Sequence, residues 1–214
     1  MKYLKMIGLA AVAAAAMTAF VGTGTAAANT VLCHTTVTAG CAAANWDWPV
    51  GSTLDFSLVA GGTSRTTDTS GFIAIGTCTG GTFKGTLTTT TTPTFTVSPS
   101  NTTWSGCSQT THTITGGSIQ LHAIPGTHDA TVTGTGFAVT TPFGSNTCSY
   151  GLGNTYKHIG TLTGNSTGTN LILHISANWT LDTAHSSASG CASSAKWTAT
   201  YQYTGTTHLH IAEN

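Results

Sequence analysis

The feature that most constrains this chain is a set of strand-like segments bracketed by cysteines, and the set occurs twice. The later copy starts at Cys148, continues through K-H-I-G-T-L-T and L-I-L-H-I-S-A-N-W-T-L, and reaches Cys191 before K-W-T-A-T-Y-Q-Y. The shorter, earlier copy leads from Cys78 through K-G-T-L-T and F-T-V to Cys107. The repeated order predicts one β domain with a disulfide inside each of the two units.

The first 28 residues predict an export signal peptide. A basic start and an apolar run at 6–21 precede a small-residue cleavage site at 26–28. No later segment is apolar enough to predict a membrane span. We therefore expect a single secreted domain at 29–214, located in the extracellular space or at the cell envelope.

The cysteines predict a disulfide framework. An even number of cysteines is typical of disulfides in an exported chain, and no C-x-x-C pair is present to favour metal–thiolate binding. We expect each bridge to close within its own unit and to add about 2–4 kcal/mol of stability. The expected bridges are Cys33–Cys41, Cys78–Cys107 and Cys148–Cys191, and the two larger units span about 72–107 and 143–191.

Charged side chains are scarce. They make up 6% of the chain, and beyond residue 28 four basic side chains stand against six acidic ones, a formal net charge of −2. Such a chain has no basic stripe for nucleic-acid phosphates and attracts charged partners weakly. We expect no nucleic-acid partner; the expected partner is an extracellular or cell-envelope glycan or an apolar surface.

Period-two alternation predicts the fold class. Apolar and polar residues alternate from Leu171 to Leu181, and 197–203 follows the same rule. About ten short strands with closely spaced turn signals indicate an all-β antiparallel fold. We expect a disulfide-stapled β-sandwich, immunoglobulin-like or jelly-roll-like, with a partly closed barrel as the alternative. The duplicated unit favours two packed sheets.

Two tryptophans form a candidate ligand site. Trp46 and Trp48 bracket Asp47 just before a Pro-Gly turn, and exposed indoles at such a place form a stacking platform for a sugar or an apolar ligand. The alternative is that at least one of them fills the end of the sandwich. The other tryptophans, at 104, 179 and 197, lie in strand-like alternation and are expected in the core.

Two histidines form a candidate metal site. His208 and His210 are expected on one face of a strand, a spacing that zinc or copper sites use. A third ligand would have to come from elsewhere, such as His185 or Asp129. The alternative is a pair of solvated strand residues, and we expect no resident cofactor.

Catalytic patterns are weak. Residues 164–168 read G-N-S-T-G and precede Asp182 and His185 or His208, the order of a hydrolase triad. That motif requires a strand-to-helix turn, whereas here it lies between two strand runs in hairpin-like composition. The acidic residues show no pairing of the kind that glycoside hydrolysis needs.

The chain resembles an uncharacterised family of secreted, disulfide-containing β proteins that is common in soil actinobacteria. The resemblance rests on W-P-V-G-S, G-T-C-T-G-G, W-S-G-C, T-P-F-G-S-N-T-C-S-Y-G and A-K-W-T-A-T-Y. It implies export, disulfides and a β fold, and it implies no catalytic residue. We therefore expect a secreted, non-enzymatic structural or binding module, the alternative being a secreted zinc- or copper-binding protein or a hydrolase that uses the histidines.

Overall fold

The structure, a computed structural model, describes residues 30–33, 48–71, 74–89, 94–108, 113–143, 145–165, 168–187 and 190–213. Over these ranges it contains β-strands and no helix, and therefore no helix long and apolar enough to cross a membrane. The strands are β1 (Thr30–Cys33), β2 (Thr53–Leu58), β3 (Ser64–Asp68), β4 (Ala74–Thr89), β5 (Phe95–Cys107), β6 (Thr113–Thr115), β7 (Ser118–Ala123), β8 (Ala130–Thr135), β9 (Ala138–Phe143), β10 (Asn146–Gly151), β11 (Lys157–Thr163), β12 (Ile172–Leu181), β13 (Ser194–Tyr203) and β14 (His210–Glu213).

The main sheet closes on itself. Antiparallel pairing runs in the order β4, β5, β7, β8, β11, β12 and β13. β2 and β3 then occupy one further position end to end, because each of them pairs with both β13 and β4. The result is a closed antiparallel barrel with eight strand positions.

The predicted all-β, antiparallel class with disulfides is confirmed. The preference for a sandwich is wrong, and the barrel stated as the alternative is the architecture found. A sandwich keeps two separate sheets with free edges. Here the first strands of the barrel join its last strand, with Tyr203 opposite Phe56 and Trp197 opposite Thr66. The alternation of buried and exposed residues is the same in a sandwich and in a barrel, so the pattern could not distinguish them.

The inward and outward faces follow the predicted alternation. In β12 the buried residues are Leu173, Ile175, Ala177 and Trp179, and the polar residues between them are exposed. β13 likewise buries its tryptophan and both tyrosines. β12 and β13 thus each contribute an apolar row to the interior, whereas the buried residues of β3 are the polar Ser64, Thr66 and Thr67.

A two-stranded ribbon of β1 and β14 covers one end of the barrel, here called the ribbon end. Leu32 of β1, Ile211 of β14 and the adjoining Leu209 are buried. The Ala123 N–H donates to Thr30 Oγ1 at 2.9 Å, and the Trp48 N–H donates to the Leu32 carbonyl oxygen at 2.9 Å. These hydrogen bonds attach the ribbon to the barrel and to the turn before β2.

A three-stranded arm of β6, β9 and β10 extends from the opposite end, here called the arm end. β10 joins the barrel through Tyr150, which lies opposite Leu181 of β12. Two predicted disulfides are formed: Cys78–Cys107 between β4 and β5, and Cys148–Cys191 between the arm and the loop before β13. Cys33 is also disulfide-bonded, while Cys41 lies outside the described residues.

Candidate functional site

The barrel interior contains a small apolar cavity in its ribbon-end half. Its volume is about 20 Å³, and all of its lining side chains are aliphatic or aromatic. A water molecule needs about 10–15 Å³ and several polar partners, so a cavity of this kind suits an apolar group better than water. The lining residues are Leu54, Phe56, Phe83, Val97, Ile119, Leu121, Val132, Leu162 and Leu173.

The other half of the interior is filled by an aromatic cluster, which consists of Trp104, Trp179, Trp197 and Tyr201. Trp197 is central to it, with edge-on ring contacts at centroid distances of 6.5, 5.9 and 6.4 Å to the other three. Its indole N–H donates to Ser64 Oγ at 2.8 Å. Trp179 and Trp197 thus lie in the core, as the alternation predicted, whereas Trp104 is half-buried and packs against the core.

Two hydrogen-bond donors of this cluster are buried without a partner among the described residues: Trp179 Nε1 and the Tyr201 hydroxyl. Trp179 is 3% exposed and Tyr201 is 0% exposed. Burial raises the pKa of Tyr201, and nearby Ser64 and Trp104 counter only part of that rise without reaching hydrogen-bond geometry. A neutral tyrosine and an indole both donate, so this part of the interior has donors that lack an acceptor.

Tyr201 connects the aromatic cluster to the cavity. Its ring lies 6.4 Å from the ring of Phe83, and it is directly opposite Leu173 in the β12–β13 ladder. Both of those residues line the cavity. The interior therefore has an apolar half and a donor-bearing half that meet at Tyr201.

The predicted tryptophan site is only partly described. Trp46 lies outside the described residues. Trp48 is 7% exposed and its indole N–H donates to the carbonyl oxygen of His208 at 3.3 Å. Trp48 therefore fills the space beside the ribbon and offers no open face for stacking, while the ligand role of the pair stays a prediction.

The predicted histidine pair lies at the ribbon end. The rings of His208 and His210 are 6.3 Å apart between centroids. His210 is buried against Gly168, and its Nε2 has no hydrogen-bond partner in the described part of the chain. Burial lowers the pKa of His210, and His208 and His128 lower it further.

The third metal ligands considered from the sequence do not join this pair. The Asp129 carboxylate accepts a hydrogen bond from the Gly164 N–H at 2.9 Å, and His185 bonds Asp182 at 2.7 Å. No group of three or more histidine, cysteine, aspartate or glutamate side chains in the described ranges is arranged to hold a metal ion.

The predicted hydrolase residues are far apart. Gly164 and Gly168, which flank the undescribed Ser166, lie at the ribbon end, where Leu209 N–H donates to the Gly168 carbonyl oxygen. Asp182 and His185 lie past the other end of β12, whose ten residues span roughly 33 Å at a strand rise of about 3.3 Å. Gly164 and Gly168 are therefore far from Asp182 and His185, while Ser166 itself lies outside the described residues.

The chain matches no protein-family model, no curated protein and no solved structure. The resemblance to secreted actinobacterial proteins stays a prediction. The functional argument therefore depends on the barrel interior, where sequence reasoning missed the unpartnered donors at 179 and 201. The available signal was the number of donor-bearing aromatic residues on the inward faces of β12 and β13.

Proposed function

We propose that this protein is a secreted, non-enzymatic binding module that takes up a small apolar molecule in its barrel. The observation that carries the proposal is the interior cavity, whose nine lining side chains are all apolar. Eight-stranded barrels have an interior that is either filled by side chains or able to hold one small ligand. Two disulfides, which are typical of extracellular proteins, support the expected extracellular location.

The ligand fits this site through burial of apolar surface. At about 20 Å³ the cavity accepts one small apolar group without rearrangement. A larger ligand requires the lining side chains or the ribbon to move outward. The ribbon is the element that would have to move at this end, because its strands pair only with each other; its movement would expose the buried side chains of Leu32 and Ile211.

The test is binding of methylenecyclohexane, measured by methyl NMR titration of the disulfide-bonded protein. Val97→Ile adds one methylene group inside the cavity, and Thr96→Val on the outward face of β5 is the matched control. We expect saturable one-to-one binding that Val97→Ile weakens about tenfold or more and Thr96→Val leaves unchanged. Absence of binding to the wild-type protein, or equal binding by Val97→Ile, would contradict the proposal.

A second candidate function is metal binding at the histidine pair. It is favoured by the 6.3 Å separation of the two rings and by the unpartnered Nε2 of His210. Elemental analysis of the purified protein tests it, with His208→Ala combined with His210→Ala as the variant and His174→Ala as the control. Stoichiometric zinc or copper that is lost only in the double variant would support this function, and metal-free wild-type protein would exclude it.

The predicted glycan or cell-envelope partner is supported by the outward face of the barrel. Thr131, Thr161, His174 and Thr200 lie side by side across four neighbouring strands. Such a row offers hydroxyl and imidazole groups for hydrogen bonds to a neutral polar surface. Binding to immobilised glycans, compared between the wild type and Thr161→Ala, tests this part of the proposal.

A further inference from the structure

The wall of the cavity contains one inward-facing position that has no side chain. Gly85 of β4 is buried and lies between Phe83 and Leu87, the neighbouring inward residues of the same strand. Alternate residues of a strand point to the same face of a sheet. Gly85 is therefore an interior position, and Leu54, which lies directly opposite it in β2, lines the cavity.

The space beside Gly85 is occupied by Val97 of β5. A methyl group added to Gly85 would overlap Val97 Cγ1, and the next nearest atom would be Ser98 O at 3.5 Å. Val97 itself lines the cavity. Glycine within a strand often marks a place where another group approaches the backbone closely. Val97 can therefore pack against the backbone of β4 because residue 85 has no side chain.

The pairing of β4 with β5 is irregular at the same place. Lys84 is opposite Asn101, whereas Gly85 is opposite Pro99, so β5 has one more residue than β4 across this step. A bulge of this kind bends its strand and changes the direction of nearby side chains, and bulges recur next to ligand sites. The position of Val97 in the cavity wall thus depends on a local departure from regular pairing.

A side chain at position 85 would displace Val97 into the cavity. In the two neighbouring strands Val97 is opposite Leu87 and Ile119, which are both buried. Protein interiors are packed as densely as organic crystals, so a displaced methyl group moves into the space that exists, the adjoining cavity of about 20 Å³. We propose that Gly85 determines the size of the apolar ligand that the barrel accepts, because it holds the cavity open by letting Val97 lie against β4.

This inference rests on the proposed function, and its test is the ratio of two affinities. The disulfide-bonded protein is titrated with methylenecyclohexane and with isobutene, two apolar alkenes that differ in size. We expect Gly85→Ala to weaken binding of methylenecyclohexane about tenfold or more, the effect of one methylene group in an apolar pocket, and to weaken binding of isobutene less. The preference for the larger ligand therefore falls, which a general loss of stability would not cause.

The matched control is Gly80→Ala. Gly80 also lies in β4, and a methyl group added there would overlap the side-chain oxygen of Ser105, an exposed residue of β5. The two substitutions thus create the same kind of overlap between the same two strands, one at the cavity and one at the surface. We expect Gly80→Ala to leave both affinities unchanged.

A compensating substitution keeps the test valid even where Gly85→Ala alone does not fold. Val97→Ala removes the methyl groups that an added side chain at position 85 would displace. Adding Gly85→Ala to Val97→Ala is therefore expected to change the affinity for methylenecyclohexane by less than about twofold, whereas two independent sites would show the full loss again.

The outcomes separate this inference from the proposed function. An equal ligand preference in Gly85→Ala and Gly80→Ala, or a full loss of affinity when Gly85→Ala is added to Val97→Ala, overturns the assignment of Gly85 and leaves the apolar site intact. Failure of the wild-type protein to bind either alkene overturns the proposed function and this inference with it.

Discussion

At the scale of single residues, the interior polar groups differ in whether they have a partner. Trp197 donates to Ser64 Oγ, and the Tyr203 hydroxyl donates to the Thr207 carbonyl oxygen at 2.8 Å. Trp179 and Tyr201 are equally well buried but have no partner in the described ranges. An unsatisfied buried donor costs about 1–3 kcal/mol, so the ligand-free barrel is less stable than its apolar packing alone would make it.

This difference predicts opposite effects for two similar substitutions. We expect Tyr201→Phe to leave the free energy of unfolding unchanged or to raise it, because it removes a donor that lacks an acceptor. Tyr203→Phe is expected to lower it by about 1 kcal/mol, because it breaks the hydrogen bond from the Tyr203 hydroxyl to the Thr207 carbonyl oxygen. Urea unfolding of ligand-free protein measures both, and a larger loss for Tyr201→Phe than for Tyr203→Phe would argue against an unpartnered hydroxyl.

Two strands approach each other so closely at one glycine that its replacement by alanine is expected to destabilise the protein. At Gly160, which adjoins a register shift in β11, an added methyl group would overlap the carbonyl oxygen of His174. We expect Gly160→Ala to destabilise the protein by about 1–3 kcal/mol or more. Gly151→Ala is the milder control, since the nearest atom to its new methyl group would be Phe137 O at 3.3 Å. Similar thermal stability of the two variants would show that β11 and β12 are not this close.

At the scale of elements, the ribbon is the part of the barrel best placed to respond to pH. His210 lies in β14, it is 4% exposed, and its pKa is lowered from 6.5 by burial, by His208 and by His128. A lowered pKa means that the folded protein resists protonation of this ring. Charge on His210 therefore weakens the contact between the ribbon and Gly168.

The direction of the pH effect follows from linkage. As pH falls below about 6.5, the unfolded chain takes up a proton before the folded protein does, so stability is full above that pH and decreases below it. We expect urea midpoints to fall between pH 7.5 and pH 5.5, and the fall to be smaller in His210→Gln. His122, whose pKa is also lowered by burial, changes the stability with pH in the same direction. An unchanged pH dependence in His210→Gln, compared with the exposed control His174→Gln, would contradict the assignment.

The arm is held to the barrel by a disulfide and by a loop. The disulfide joins Cys148 and Cys191, which are 43 positions apart in the sequence. The Asp182 N–H donates to the Ser149 carbonyl oxygen at 2.8 Å, and the Ser149 N–H donates to Ser186 Oγ at 2.9 Å. We expect Cys148→Ala combined with Cys191→Ala to lower stability by about 2–5 kcal/mol while the affinity for methylenecyclohexane stays the same. Loss of ligand binding in a still-folded double variant would place the site in the arm and not in the barrel.

At the scale of the whole molecule, the strands were predictable and their closure was not. Alternation correctly assigned Leu173, Ile175 and Trp179 to the interior, because a sheet that is buried on one face requires it. Closure depends on β13 pairing with β2 and β3, strands more than a hundred residues earlier in the chain. The local sequence pattern of neither segment indicates that β13 pairs with β2 and β3.

The candidate site was predictable to a smaller degree. The core positions of the tryptophans follow from alternation, whereas the missing acceptor near Trp179 and Tyr201 depends on distances across the closed barrel. Trp48 fits the alternative stated from the sequence, that at least one of the two tryptophans fills an end of the fold, but the elements that bury it could not be predicted from its local pattern. Its burial depends on the ribbon, which assembles from the two ends of the described chain.

The most direct test of the account is where a bound ligand lies. Isotope-filtered NOE measurements between unlabelled methylenecyclohexane and methyl-labelled protein answer this question. The account predicts NOEs to the inward methyl groups of Val97, Ile119 and Leu162. NOEs confined to outward methyl groups such as those of Thr131 and Thr161, or no intermolecular NOEs at saturating ligand, would contradict it.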